Sequence, residues 1–337
     1  MNKLFLLLSF IFGSLLLTQL PVQADANFSI KKNENQYQTK DASFYDLLIP
    51  TDSTAQLSLT ISNNESQTNK FKVSLYNGLT NNLGQISYAA PSRATLPFPS
   101  TSTTLSQLNA ETTEVEIAEN QSKEVLLNLT RPSVSSPGII LGAIHVSKVP
   151  NNVEQEENKN QKIVNHYSAE IPVVIRTQPS STAQLDLQLT EVTAGVTNKN
   201  KSGILAKLAN PTSWVMPHLS ISTKVYQQDN NNKLLYQSTD ENLDMAPHST
   251  FDYSVPAKTK LKAGHYYLDL VAKSGKNTWH FTEKFTVSSK QVKEIANNSV
   301  QKKNSYWWLL WFLLLIPIFV ILLYLYRRRK KKTKENN

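Results

Sequence analysis

The residues best suited to metal binding or proton transfer are the six histidines: His145, His166, His218, His248, His265 and His280. They stand far apart, with none of the short spacings by which one helix or turn assembles a ligand set. They read as isolated solvated or edge-strand side chains. There is no cysteine in the 337 residues, which removes thiolate catalysis and every cysteine-based metal site. No Gly-x-Ser-x-Gly elbow, His-Glu-x-x-His pair, phosphate-binding P-loop or Gly-x-Gly-x-x-Gly fingerprint occurs. Asp229-Asn230-Asn231-Asn232 has neither the central glycine nor the closing glutamate of a calcium loop. Carboxylate pairs for glycan cleavage need closeness in space, and nothing in the sequence selects a pair. No catalytic residue, cofactor or metal is assigned, and the chain reads as a binding protein rather than an enzyme. Glycan binding needs aromatic platforms beside amides and hydroxyls. Phe44, Tyr45, Tyr76 and Tyr88 are candidate platforms that core packing explains equally well, so no binding residue is assigned. Trp279 reads first as a core plug.

The elements that must position such residues are strands. Apolar and polar residues alternate with period two over Leu57–Ile61, Phe71–Leu75, Val115–Ile117 and Val125–Leu129. Gly138–Val146 is apolar on both faces, as a central strand would be, and His166–Arg176 is its expected hairpin partner. A second series runs from Leu185 through Ile204–Leu208, Leu219–Val225, Leu234–Tyr236, Phe251–Val255, Tyr266–Val271 and Trp279–Val287. No stretch between the two ends shows a convincing amphipathic helix. About seven strands per half, with frequent turn signals, predict an all-β protein of two immunoglobulin-like sandwiches. Asn151–Gln161 is a compositional break. If His166–Arg176 completes the first sandwich, the hinge is instead Gln178–Thr182. Ser100–Thr113 reads as a long loop. Gly138 and Gly142 suit close backbone approach, and Leu261–Tyr266 suits the turn and tyrosine that lock a sandwich corner.

Both ends carry topology. Met1–Ala24 has a cationic start, an apolar run and small residues before a cut, the pattern of a signal peptide. Tyr306–Tyr326 is 21 uncharged residues, about 31 Å as a helix, enough for one transmembrane span. Tyr306, Trp307, Trp308 and Trp311 at one end, and Tyr324 and Tyr326 at the other, are expected membrane-interface anchors. Arg327, Arg328 and Arg329 follow and begin a basic tail, residues 327–337, that the positive-inside rule places in the cytoplasm. No Leu-Pro-x-Thr-Gly sorting signal precedes the span, so the expected attachment is the helix itself.

The net charge of +9 sits mostly in that tail. The tail contributes +6 and Lys3 +1, which leaves 27 basic and 25 acidic side chains between the ends, a net of +2. So balanced a surface steers no polyanion, and nucleic acid is not an expected partner.

The order of segments is similar to that of the WxL-interacting proteins of low-GC Gram-positive bacteria. The first module resembles the family in Phe28-Ser29-Ile30, Leu57–Asn63, Ile86-Ser87-Tyr88 and Pro137–Ile144. The second resembles it in Leu208-Ala209-Asn210-Pro211, Met245–Ser249, Leu261–Tyr266, Trp279-His280-Phe281 and Phe285-Thr286-Val287. Ala143 departs from the pattern, where a second glycine is more usual. The resemblance implies a peptidoglycan-binding-type domain over residues 27–150; strand 163–176 completes its sandwich if it pairs with Gly138–Val146, and otherwise belongs to the second domain. It implies a host-binding-type domain over 160–290, with a structural core at 183–288. It also implies a non-catalytic, membrane-anchored cell-surface protein whose partners are WxL-domain proteins, peptidoglycan and host extracellular-matrix protein. Trp307-Trp308-Leu309 and Trp311-Phe312-Leu313 match Trp-x-Leu only because the span is rich in both residues. Two rival readings are an envelope glycan hydrolase with spatially assembled carboxylates and a single-pass surface receptor.

Overall fold

A computed structural model describes residues 28–91, 103–108, 112–133, 137–150, 167–178, 183–228, 233–257 and 261–299. The proposed signal peptide, the span at 306–326 with all nine interface anchors, and the basic tail lie outside the described residues. So do the acidic stretch 151–161 and most of the expected hinge. Among the described residues no helix is long and apolar enough to cross a membrane.

The chain is all-β, as its alternation predicted. Nine strands build the first half: β1 (Phe28–Lys32), β2 (Tyr45–Leu47), β3 (Thr54–Asn63), β4 (Asn69–Thr80), β5 (Ile86–Ala89), β6 (Thr113–Ile117), β7 (Ser122–Thr130), β8 (Ile139–Lys148) and β9 (Ser168–Arg176). One sheet runs β1-β3-β7; the other runs β2-β9-β8-β4-β5, with β6 also paired to β4. The inward residues of both sheets form one core, including Leu57, Leu59, Ile61, Phe71, Val73, Ile144, Val146, Val173 and Ile175. Strand β8 is the central strand expected from its two apolar faces, and it pairs antiparallel with β9 from Ile139↔Arg176 to Ser147↔Ser168. The expected loop at 100–113 contains a helical turn, α1 (Leu105–Leu108), whose two leucines enter this core. A Cβ on Gly142 would lie 2.3 Å from the Tyr76 carbonyl oxygen and 2.5 Å from Leu105. Glycine is the residue that lets α1 and β4 close on β8.

Seven strands build the second half: β10 (Gln188–Val196), β11 (Ser202–Asn210), β12 (Met216–Gln227), β13 (Lys233–Met245), β14 (Ser249–Pro256), β15 (Gly264–Ser274) and β16 (Asn277–Val287). They form sheets β10-β11-β14 and β13-β12-β15-β16 around a second core that includes Leu208, Ile221, Val225, Phe251, Tyr266 and Leu268. Trp279, Phe281 and Phe285 pack partly buried against it. The expected corner is present: the buried Tyr266 hydroxyl donates to the Lys262 carbonyl at 2.7 Å. One expectation is corrected. A helix, α2 (Ser289–Asn298), follows β16 and packs Val292 and Ile295 on the second core. Ser288 caps it reciprocally with Gln291. With two apolar anchors in ten residues its periodicity is too weak to stand out in sequence, so its capping box is the better signal.

The halves meet through the β4–β5 hairpin. Thr80, buried where β4 meets the turn, accepts from the Ala246 amide at 3.0 Å and hydrogen-bonds the Ser249 hydroxyl at 2.5 Å. At the tip the Asp244 amide donates to the Gly84 carbonyl at 2.8 Å, and Gly84 holds φ +69° against Leu243. Beside them the Ile139 amide donates to Ser213 at 2.8 Å, and a Cβ on Gly138 would strike Ser213 at 2.2 Å.

Two partly buried ion pairs brace the first half. Arg176 grips Asp46 with both prongs, at 2.6 and 2.8 Å, and Lys148 grips Glu65 at 2.9 and 3.0 Å. Burial pushes both carboxyls up, but the hydrogen bonds and charges of Arg176 and Lys148, with smaller help from Thr39 and Lys40 or Gln67 and Asn69, outweigh it. Both therefore sit below the ordinary carboxylate range. A carboxyl lowered by folding stabilises above its unfolded pKa and loses that contribution as pH falls through the lowered value. The melting temperature of the protein should accordingly fall as pH drops below about 4. Asp46→Asn should lower stability at neutral pH and flatten that decline; an unchanged slope would refute the assignment. Tyr266→Phe should cost about 1 kcal/mol in denaturant titration, by orphaning the Lys262 carbonyl.

Candidate functional site

The four aromatic candidates separate by face. Tyr45 is buried in the first core, its hydroxyl donating to the Ser58 carbonyl, and is unavailable as a platform. Phe44 is half-buried at the start of β2 beneath the Lys40 ammonium, 5.5 Å from its ring centre. Tyr76 and Tyr88 share the opposite side of the large sheet, away from the core. The alternation of β4 points Phe71, Val73 and Leu75 inward and Lys72, Ser74 and Tyr76 outward.

Register then brings chemistry to Tyr76. It lies opposite Ala143, which lies opposite Pro172; the next outward row is Ser74, His145 and Glu170. The His145 imidazole stacks on the Tyr76 ring, centres 4.0 Å apart and planes within 6°, while its Nδ1 meets the Glu170 carboxylate at 3.0 Å. Tyr88 stands opposite Gly78 on the adjoining β5. Burial pushes its phenol up, and the negative charge of Glu170 adds to the push. A phenol kept neutral remains a hydrogen-bond donor. The apolar pair Leu141 and Val174 continues the face toward Asp46 and Arg176. Ala143, the departure from the family pattern, is fully buried in the row between Tyr76 and Pro172. The result is a half-buried face that carries one stacked ring pair beside a carboxylate, with Tyr88 on the adjoining strand. It offers a sugar ring aromatic surface and an acceptor for its hydroxyls.

Sequence reasoning named Tyr76 and Tyr88 but treated His145 as isolated and overlooked Glu170. The available signal was the expected pairing of β8 with β9, since setting those strands in register places His145 opposite Glu170. The remaining histidines do not gather. His218 takes φ +50° with its amide donating to Asp244, and His248 Nε2 meets Ser213 at 3.0 Å. His265 pairs with Thr286 and His280 with Asp269 across β15 and β16. His166 lies outside the described residues. Among the described residues no three histidine or acidic side chains are placed to hold a metal ion.

Solved structures with a related trace are remote. The Pseudomonas aeruginosa CupB2 chaperone shares 11% identity, over 69% of this chain and 93% of its own, with a TM-score of 0.26. The E. coli chaperone DraB shares 15%, over 77% and 98%, with a TM-score of 0.28. The CsuC-CsuE chaperone-tip adhesion subunit complex of Acinetobacter baumannii shares 12%, over 67% and 90%, with a TM-score of 0.29. Likeness at this level carries no argument about function. No curated protein matches the chain. Sequence families do match. The profile described as WxL Interacting Protein, peptidoglycan binding domain, covers residues 28–148, and that described as WxL Interacting Protein, host binding domain, covers 158–297. The second range takes in β9, although β9 pairs with β8 in the first half. With both profiles in the expected order over most of its length, the chain belongs to the WxL Interacting Protein family.

Proposed function

We propose that this chain is a non-catalytic binding protein of the cell surface, which lays peptidoglycan glycan on the Tyr76–His145–Tyr88–Glu170 face. The observation that carries the reading is the stacked Tyr76–His145 pair beside a carboxylate, inside the region matched by the peptidoglycan-binding profile. The second half, matched by the host-binding profile, takes a host matrix protein, and WxL-domain proteins dock on the same ectodomain. Both halves are immunoglobulin-like. The pairing of β9 with β8 supports a first domain that takes in strand 163–176, with the second core beginning near residue 183. Residues 1–24 direct export, 306–326 anchor the chain once in the cell membrane, and 327–337 remain in the cytoplasm. The aromatic belts Tyr306–Trp311 and Tyr324–Tyr326, and Arg327–Arg329, support that topology.

Purified Asp25–Ser305 should co-sediment with isolated wall sacculi and stay bound at high salt, because a net charge of +2 supplies little diffuse attraction. Tyr76→Ala with Tyr88→Ala should weaken that sedimentation by about thirtyfold or more, the loss of a stacking contact of about 1 kcal/mol or more on each ring. Sedimentation only when a WxL-domain protein is added would make the ectodomain an adaptor and overturn direct wall binding. In cells, the full chain should fractionate with membranes, and truncation after Ser305 should release it into the medium. Removing Lys330–Asn337 should leave it anchored; its release would refute the role given to Arg327–Arg329.

A further inference from the structure

Where the β4–β5 hairpin enters the second half it roofs a cleft of about 150 Å³. The floor is a fixed polar pair. Tyr253 Oη donates to Asp240 Oδ2 at 2.6 Å, and Ser238 Oγ donates to the same oxygen at 3.0 Å. Asp240 Oδ1 makes no hydrogen bond among the described residues. Burial and the adjacent Asp240 charge both push the Tyr253 hydroxyl up, so it keeps its proton and stays a donor at ordinary pH. The carboxylate is thus oriented, with one oxygen held and one left to accept.

The rim is built of amides. Asn82 spends its main-chain carbonyl on Asn198 Nδ2 and its Oδ1 on the Asp252 amide, both at 3.1 Å, which leaves its Nδ2 to donate. Asn198, its amide nitrogen so engaged, keeps Oδ1 as an acceptor. The walls are apolar: Leu243 and Phe251 from the second half, and Leu83 from the hairpin tip. Leu83 is 57% exposed although its neighbours Asn82 and Gly84 are tied down. Lys199 also lines the cleft and offsets the Asp240 charge, which disfavours a bare cation as the ligand.

We infer that this inter-module cleft binds a single saccharide unit, its hydroxyls shared among Asp240, Asn82 and Asn198 and its apolar face against Leu83 and Leu243. A cavity near 150 Å³ admits about one six-membered ring. The inference shares the glycan chemistry of the function proposed above but uses a different surface, assembled only where both halves meet. The same ring chemistry is available from wall glycan and from host glycan.

The test is saturation-transfer NMR on Asp25–Ser305 with chitotriose as the probe and N-acetyl-lysine methylamide as the cationic comparison. Chitotriose should receive transfer and the lysine derivative little. Asp240→Asn should reduce chitotriose affinity about tenfold, the usual effect of losing a hydrogen bond to a charged group. Leu83→Ala, at a position 57% exposed, should reduce it about threefold, the loss of one small apolar contact. Absence of transfer, transfer unmoved by both variants, or stronger transfer to the lysine derivative would overturn the proposal. Muropeptides and mucin oligosaccharides then compete in separate arms, and the stronger competitor identifies the source. Sacculus sedimentation by the unsubstituted protein separates the two readings. Sedimentation with chitotriose transfer absent or unmoved by Asp240→Asn and Leu83→Ala sinks the cleft alone, and chitotriose transfer weakened by both variants without sedimentation sinks the wall-binding face alone.

Discussion

Pairing of β4 with β8, and of β8 with β9, decides which side chains meet on each face of the larger sheet. Because side chains alternate strictly along a strand, a slip of one residue would bury Tyr76 and His145 and expel Val73 and Ile144. The apolar inward set forbids that slip, so the core specifies the outward rows as firmly as it specifies itself. Ser74, His145 and Glu170 form a row only because Val73, Val146 and Ala169 form the one beside it. Gly142 belongs to the same constraint: its missing side chain is what lets β4 and α1 approach β8 closely enough for that register to hold.

The same sheet reaches into the second half. Strand β4 ends in Thr80, whose hydroxyl serves Ala246 and Ser249, and β8 begins beside Gly138 and Ser213. These contacts are hydrogen bonds and close backbone approaches rather than a broad apolar seam. Such a junction is directional: it holds the halves at one angle and places Asn82 over Asp252 and Asn198. A flexible pair of beads would present two independent surfaces, whereas this arrangement builds a third between them.

Strand content, the central position of β8, its partner β9 and the Tyr266 corner were legible because each rests on local periodicity or a short spaced motif. The helix Ser289–Asn298 was missed because two apolar residues in ten make a faint pattern. Membership of the family was legible too, since it rests on many weak motifs in a fixed order. Tyr45 and Tyr76 illustrate where the reading stopped. Both are tyrosines on strands of one sheet, yet one is a core residue with its hydroxyl satisfied by Ser58 and the other a surface ring stacked on histidine.

By itself, then, the amino-acid order determined the strands, the two cores and the family, because hydrophobic alternation and turn residues act over a few neighbours. Tertiary structure alone decided that His145 meets Tyr76, that Glu170 lies beside His145, and that Asn82 faces Asn198 and Asp252 from 116 and 170 residues away. Those meetings depend on register and on the angle between the halves. Both are set by the packing of the whole, which no local window of sequence contains.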